Sequence, residues 1–157
     1  MDSEMEQYRR EQSAAYLKRV RDAKRHINAL SAEVDEHRAL ASGLSGIDYT
    51  RDKVATSSYG DAVPDAVIRL LDVIEERLNL VVEYTSMMAE CGESLARMGG
   101  VLADVLRYRY VCDYQWEHIA AKMHYSEQWL YELHNKALVS FFEYMPAHER
   151  DPLPPAI

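Results

Sequence analysis

WEHIAAKMHYSEQWLYELHNKAL, Trp116 to Leu138, is the stretch on which the fold turns. Its apolar positions Ile119, Met123, Tyr125, Leu130 and Leu133 fit two short amphipathic helices broken by a turn of about three residues. Ala120 sits where two crossing helices come closest, and a bulky side chain there would push them apart. Ser126 is placed to cap the second helix by accepting a backbone N–H, and Glu127 suits the positive end of that helix's dipole. His124 occupies the turn position that needs a left-handed backbone; glycine fits it most easily, and His is enriched among the other residues found there. Together these signals predict a helix-turn-helix, with a preceding helix over Val101 to Tyr110 and a final one from Ser126 to about Tyr144.

Outward from this stretch, composition bounds the rest. The 157 residues are 48% hydrophobic, enough for a modest core, and six Gly with five Pro give too little turn punctuation for an all-β chain. An all-α protein is expected. No apolar run reaches the length of a membrane span, and the charged start MDSEMEQYRREQ lacks the apolar core of a secretory signal. The expectation is a cytoplasmic protein of a bacterial host cell that does not engage membrane. Cys91 and Cys112 have no partner spacing for zinc or a disulfide framework and read as small buried apolar residues.

Two heptad patterns precede the C-terminal stretch. Val20, Ile27, Val34 and Ala41 recur every seven residues, with Tyr16, Ala23, Leu30, His37 and Leu44 in the second seam position, predicting one helix over about 4–44. His37 reads as a tolerated, partly exposed polar seam residue. Val67, Leu71, Ile74, Leu78, Val81, Thr85 and Met88 repeat the spacing, and Pro64 suits the first turn of that helix. The economical arrangement is a long antiparallel coiled helical hairpin over residues 1–98, with a long loop at about 45–63 acting as a tether. Either seam is also suited to pair with a second copy in a homodimer. Gly99-Gly100 marks a boundary, followed by the helix-turn-helix module at 99–145 and an extended tail at 146–157.

The net charge is −8, which disfavours indiscriminate coating of nucleic acid. Between Arg9 and Arg25, however, seven basic residues face only Glu11 and Asp22, so the main cationic footprint is expected on this arm. An enzyme needs a nucleophile with a base, paired carboxylates in a pocket, or a phosphate loop. None is visible: Ser57-Ser58 near Asp61 has loop composition, the Lys53-bearing segment lacks phosphate-cradle spacing, and Glu75, Glu76 and Glu83 mark a solvated helix face. Neither a catalytic residue nor a cofactor is expected, and the scattered His118, His124 and His134 do not have metal-ligand spacing. Trp129, Trp116 and Tyr110 read as core aromatics.

LRYRYVCDYQWEHIAAKMHYSEQWLYELHNKALVSFF resembles the region-four helix-turn-helix of sigma factors, in the form found in small phage-encoded transcription regulators of the ArpU-like kind. The likeness extends upstream through DYTRDKVATSSYGDAVPDAVIRLLDVIEERLN and covers roughly residues 14–142. It implies a phage or prophage regulator that binds double-stranded DNA, in concert with RNA polymerase. By position, it implies groove-facing side chains at Glu127, Gln128, Tyr131, Glu132 and Asn135, and phosphate contacts from Lys122, Ser126 and Lys136. Region four usually presents arginines here, and this helix has none. Gln128 and Asn135 have the chemistry to bond an adenine edge, Tyr131 to meet a thymine methyl, and a carboxylate to accept from cytosine N4. Two other classes fit the same pattern: a protein adaptor for RNA polymerase or another phage protein, and a small DNA-packaging subunit of the terminase type.

Overall fold

In the computed structural model, residues 2–46 and 64–150 are described. The tether at 47–63, with Lys53, Ser57, Ser58 and Asp61, and the last residues 151–157 lie outside them. The protein is all-α, with no strand among the described residues. Helix α1 spans Asp2–Ser45 and α2 spans Asp65–Met98. Both run long because no proline interrupts them, and α1 opens with Asp2 and Glu4 against the positive helix end. Gly46 ends α1 in the left-handed region at φ 71°, its N–H donating to Ser42 O at 2.9 Å. The expected break at Gly99-Gly100 is present: both have positive φ, and Gly99 N–H closes α2 on Leu95 O.

Three short helices follow. Helix α3 is Gly100–Leu106 and continues into a π-helical turn, Arg107–Val111; α4 is Trp116–Met123 and α5 is Glu127–Phe141. The chain divides into two compact units: Met1–Lys24 with Ser86–Ile157, and Arg25–Thr85. This differs from the expected division at 98/99, because the start of α1 and the end of α2 contribute to the core of the C-terminal module. Tyr16, Leu17 and Val20 from α1, Cys91 and Leu95 from α2, and Leu106, Tyr110, Leu138 and Phe141 form one buried cluster. Tyr16 stacks on Phe141 with ring centroids 6.0 Å apart. Burial pushes the Cys91 thiol up to about 12. It is therefore a neutral packing group, beside which the Tyr16 hydroxyl sits without a full hydrogen bond. Cys112 is only partly buried.

In the 25–85 unit the two helical segments pair antiparallel. His26 stacks on Tyr84, Glu33 meets Arg77 at 3.0 Å, and Ala41 packs with Val67. Its seam is thinner than the heptads predict. Val34, Ala41, Val67 and Ile74 are buried, whereas Leu44, Leu78 and Thr85 are exposed. Two helices alone cover one seam position per heptad well and leave the other at the edge. His37 is partly exposed, 3.3 Å from Glu33, as its polar character requires.

The segment after α5 departs from the extended tail expected from Pro146 onward. Pro146 is buried, Ala147–Glu149 forms a 3-10 turn, and Glu149 receives Arg19 at 2.7 Å. Arg150 donates to the Met145 and Glu143 carbonyls, so the turn is tied back by charge-assisted bonds.

Candidate nucleic-acid interface

The turn between α4 and α5 is built by local chemistry. His124 adopts φ 58°, ψ 39°, the left-handed conformation its position demands, and Tyr125 N–H donates to Ala120 O at 3.1 Å. Ser126, in extended backbone, accepts from Trp129 N–H at 3.1 Å and so satisfies one of the open donors at the start of α5. Ile119, Leu130, Leu133 and Val105 close a small core, with Ala120, Met123, Tyr125 and Trp116 packed against it. Thus α3, α4 and α5 hold one another through apolar contacts that leave the opposite side of α5 free.

That side carries the side chains expected to contact DNA. Gln128, Tyr131, Glu132 and Asn135 are all exposed and, at offsets of three, four and seven from the first, share one helix face. Glu127 and Ser126 are exposed at its N-terminal end, and Lys122 at the end of α4 is exposed as well. Lys136 is exposed but lies beside this face, 5.5 Å over the Trp129 ring; Lys122 lies 5.6 Å over Tyr114. Both ammonium groups stay in reach of solvent while their stems cover aromatic surface.

Trp129 departs from the expected core role: it is 41% exposed. The residue that packs inward is its neighbour Leu130, and a step of about 100° around the helix carries the indole out. Tyr110 is buried and Trp116 partly so. Trp116 supports the exposed face from beneath, meeting Tyr131 edge-on at 5.2 Å and His134 at 4.7 Å, with the Arg109 guanidinium 4.7 Å over its ring. His134 in turn lies 2.8 Å from the Tyr110 hydroxyl. Burial, reinforced by the Arg109 and Lys18 cations, holds the His134 imidazole down at about 4, so it is neutral near pH 7. The neutral ring and the phenol share one hydrogen bond whose direction the imidazole tautomer sets, and the pair holds Trp116 and hence Tyr131 in place. The positions in this stack of rings were visible in the sequence, but their mutual contact was not.

The N-terminal cations do not form the open patch that the sequence predicts. Arg9 pairs with Glu143 at 3.3 Å, Arg19 pairs with Glu149, Lys24 donates to Cys112 O at 2.9 Å, and Arg21 lies over Tyr110. Much of the local positive surplus is instead neutralised by, or packed on, the C-terminal segment of the same unit. Among the described residues no group of three or more His, Cys, Asp or Glu is placed to hold a metal ion, and no helix is long and apolar enough to cross a membrane. No protein-family model, curated protein or solved structure matches the chain.

Proposed function

We propose that this chain is a phage or prophage transcription regulator of the ArpU-like kind, which binds double-stranded DNA through α4 and α5 and acts with RNA polymerase. The observation that supports this reading is the exposed face Gln128, Tyr131, Glu132 and Asn135 on a helix capped by Ser126 behind a left-handed turn. Gln128 and Asn135 offer paired donor and acceptor groups to an adenine edge, and Tyr131 offers a supported ring to a thymine methyl. Lys122, Lys136 and the α5 N-terminus are the groups available for phosphate. With so few cations, the salt dependence of binding should be shallow, a log–log slope of about −2.

Selection of bound sequences from random duplex DNA, with and without RNA polymerase, tests the reading. A site preference should emerge, and Gln128→Ala should weaken the preferred site by about 1 to 3 kcal/mol while changing random duplex less. Enrichment of no sequence at low salt in either condition would overturn it. A second reading, a protein adaptor for polymerase or another phage protein, is favoured by Glu127 and Glu132, whose carboxylates repel phosphate at the exposed face. The adaptor reading expects polymerase or partner binding that survives removal of all DNA.

A further inference from the structure

A second surface runs along α5 beside the proposed groove face. Trp129, Leu133, Lys136 and Ser140 follow one another at spacings of four, three and four, one stripe of the helix. This stripe is turned about a third of a revolution from Gln128, Tyr131, Glu132 and Asn135. The start of α3 lies alongside it. A groove of about 370 Å³ is lined by Gly100, Val101, Leu102, Leu133, Ser140 and Tyr144 among others. A neighbouring groove of about 390 Å³ shares Leu102 and Ser140 and adds Glu6, Arg10, Asn135 and Lys136. Through these shared walls the two adjoin as a channel between α3 and α5, beside Glu6 and Arg10 of α1.

Apolar surface stands open to water in and beside these grooves. Val101, in the lining, is 45% exposed, and Trp129, one turn before the lining residue Leu133 and beneath the Lys136 ammonium, is 41% exposed, although the module has a buried core available for both residue types. An exposed tryptophan at the end of a groove-lining stripe is suited to be a binding anchor, because it supplies large contact area with few rotamers to immobilise. Charge indicates what covers it. In a chain with eight more acidic than basic residues, this rim presents Lys136 and Arg10 against the single carboxylate of Glu6. Neither cation makes an ion pair among the described residues. Helices also wall the channel, so it offers no row of unpaired backbone groups to an added strand.

We propose that this channel docks an amphipathic helix of a partner protein, whose apolar residues cover Trp129, Val101 and Leu133 and whose carboxylates meet Lys136 and Arg10. The stripe from Trp129 to Ser140 is about 16 Å long, three turns of a partner helix. The two readings share Lys136, and Asn135 lines the groove, but this proposal depends on none of Gln128, Tyr131 or Glu132, so variants at those three positions separate it from the DNA reading.

The test uses the full chain carrying Trp116→Phe, checked for wild-type circular dichroism, in which Trp129 is the one indole left. Two synthetic 18-residue helical peptides serve as probes, identical in their leucine stripe and flanked by Glu in one and Lys in the other. The Glu peptide should shift Trp129 emission to the blue, saturably and at least about tenfold more tightly than the Lys peptide. Trp129→Ala, read by anisotropy of a labelled peptide, should lose about tenfold or more in affinity while keeping the wild-type melting temperature. Arg10→Glu with Lys136→Glu should invert the preference between peptides, and Gln128→Ala should leave it unchanged. The proposal is overturned by any of four results: no saturable shift at millimolar Glu peptide, equal binding of the two peptides, a preference that survives the charge reversal, or a blue shift that grows with protein concentration alone. Loss of duplex DNA binding in Trp129→Ala, with peptide binding intact, would equally overturn it by assigning the stripe to DNA.

Discussion

The two compact units use the same helices and the same heptad rule to different effect. In the unit formed by residues 1–24 and 86–150, the seam residues Tyr16 and Val20 are sealed because the C-terminal module lays Leu106, Leu138 and Phe141 over them. Among the described residues of the 25–85 unit the same spacing has no third layer. Its buried cluster is Ala41 with Val67, while the seam residues Leu78, at 38%, and Thr85 are exposed. Heptad periodicity therefore specifies which helix face seeks cover; the number of neighbouring elements determines how much of it is covered.

The largest expected effect tests the sealed core. Phe141→Ala removes a fully buried ring stacked on Tyr16 and should cost about 3 to 5 kcal/mol. Both tryptophans, Trp116 and Trp129, lie in that unit, so urea unfolding followed by their fluorescence reports it directly. Far-UV circular dichroism reports both units. In the variant the fluorescence transition should move to lower urea, and the two probes should separate if the 25–85 hairpin keeps its own stability. A loss below about 1 kcal/mol would mean that the core is no better sealed than the hairpin.

Next in size is a pH effect confined to the same unit. His134 is held neutral in the fold at about 4 against an ordinary value near 6.5, so below pH 6.5 the unfolded chain binds a proton that the folded one does not. Stability from this group is therefore complete above about pH 6.5, falls as pH drops through the interval, and levels off below about 4. The full loss is about 3 kcal/mol. Comparing wild type with His134→Asn by fluorescence-detected unfolding at pH 7, 5.5 and 4 isolates it, since the other titrating groups are common to both. Parallel pH profiles would show that the imidazole is hydrated in solution.

These contrasts also show how much the sequence disclosed. The α4–α5 turn was readable because its determinants are local: Ser126 as cap, His124 in left-handed backbone, and the spacing of Ile119, Leu130 and Leu133. The exposed face of α5 was legible for the same reason, through helical periodicity. Trp129 was misread because hydrophobicity outweighed phase; it adjoins Leu130 in sequence but projects from a different side. The docking of Arg9, Arg19 and Arg21 was hidden, since their partners Glu143, Glu149 and Tyr110 are about 90 to 130 residues away and no periodic signal links them. The turn at Ala147–Glu149 was hidden in the same way, being held by Arg19 rather than by its own propensity.

Within the thinner unit, neighbouring seam positions should differ. Ile74 is 7% exposed and Leu78, one turn on, 38%. Ile74→Ala should cost about 2 kcal/mol and Leu78→Ala less than about 1, measured by circular dichroism against urea. Equal and large costs would mean that the open seam position is covered in solution, as a homodimer through the seams requires. Sedimentation of the two variants then distinguishes loss of a dimer from loss of a fold.

The smallest effect is the sharpest probe of whether the hairpin stands uncovered. Glu33 and Arg77 join its two helices at 3.0 Å, with side chains 36% and 31% exposed. A pair this wet gains little Coulomb energy and gives up side-chain freedom, so a double-mutant cycle with Glu33→Gln and Arg77→Gln should yield a coupling of about 0.5 kcal/mol. The coupling should shrink further as salt rises, because the screening length falls to about 3 Å at 1 M. A value well above 1 kcal/mol that resists salt requires a drier environment than two helices provide. It would place another surface over the ion pair and remove the contrast between the sealed and open units; a small, salt-sensitive value keeps the hairpin a two-layer structure whose outer seam faces water.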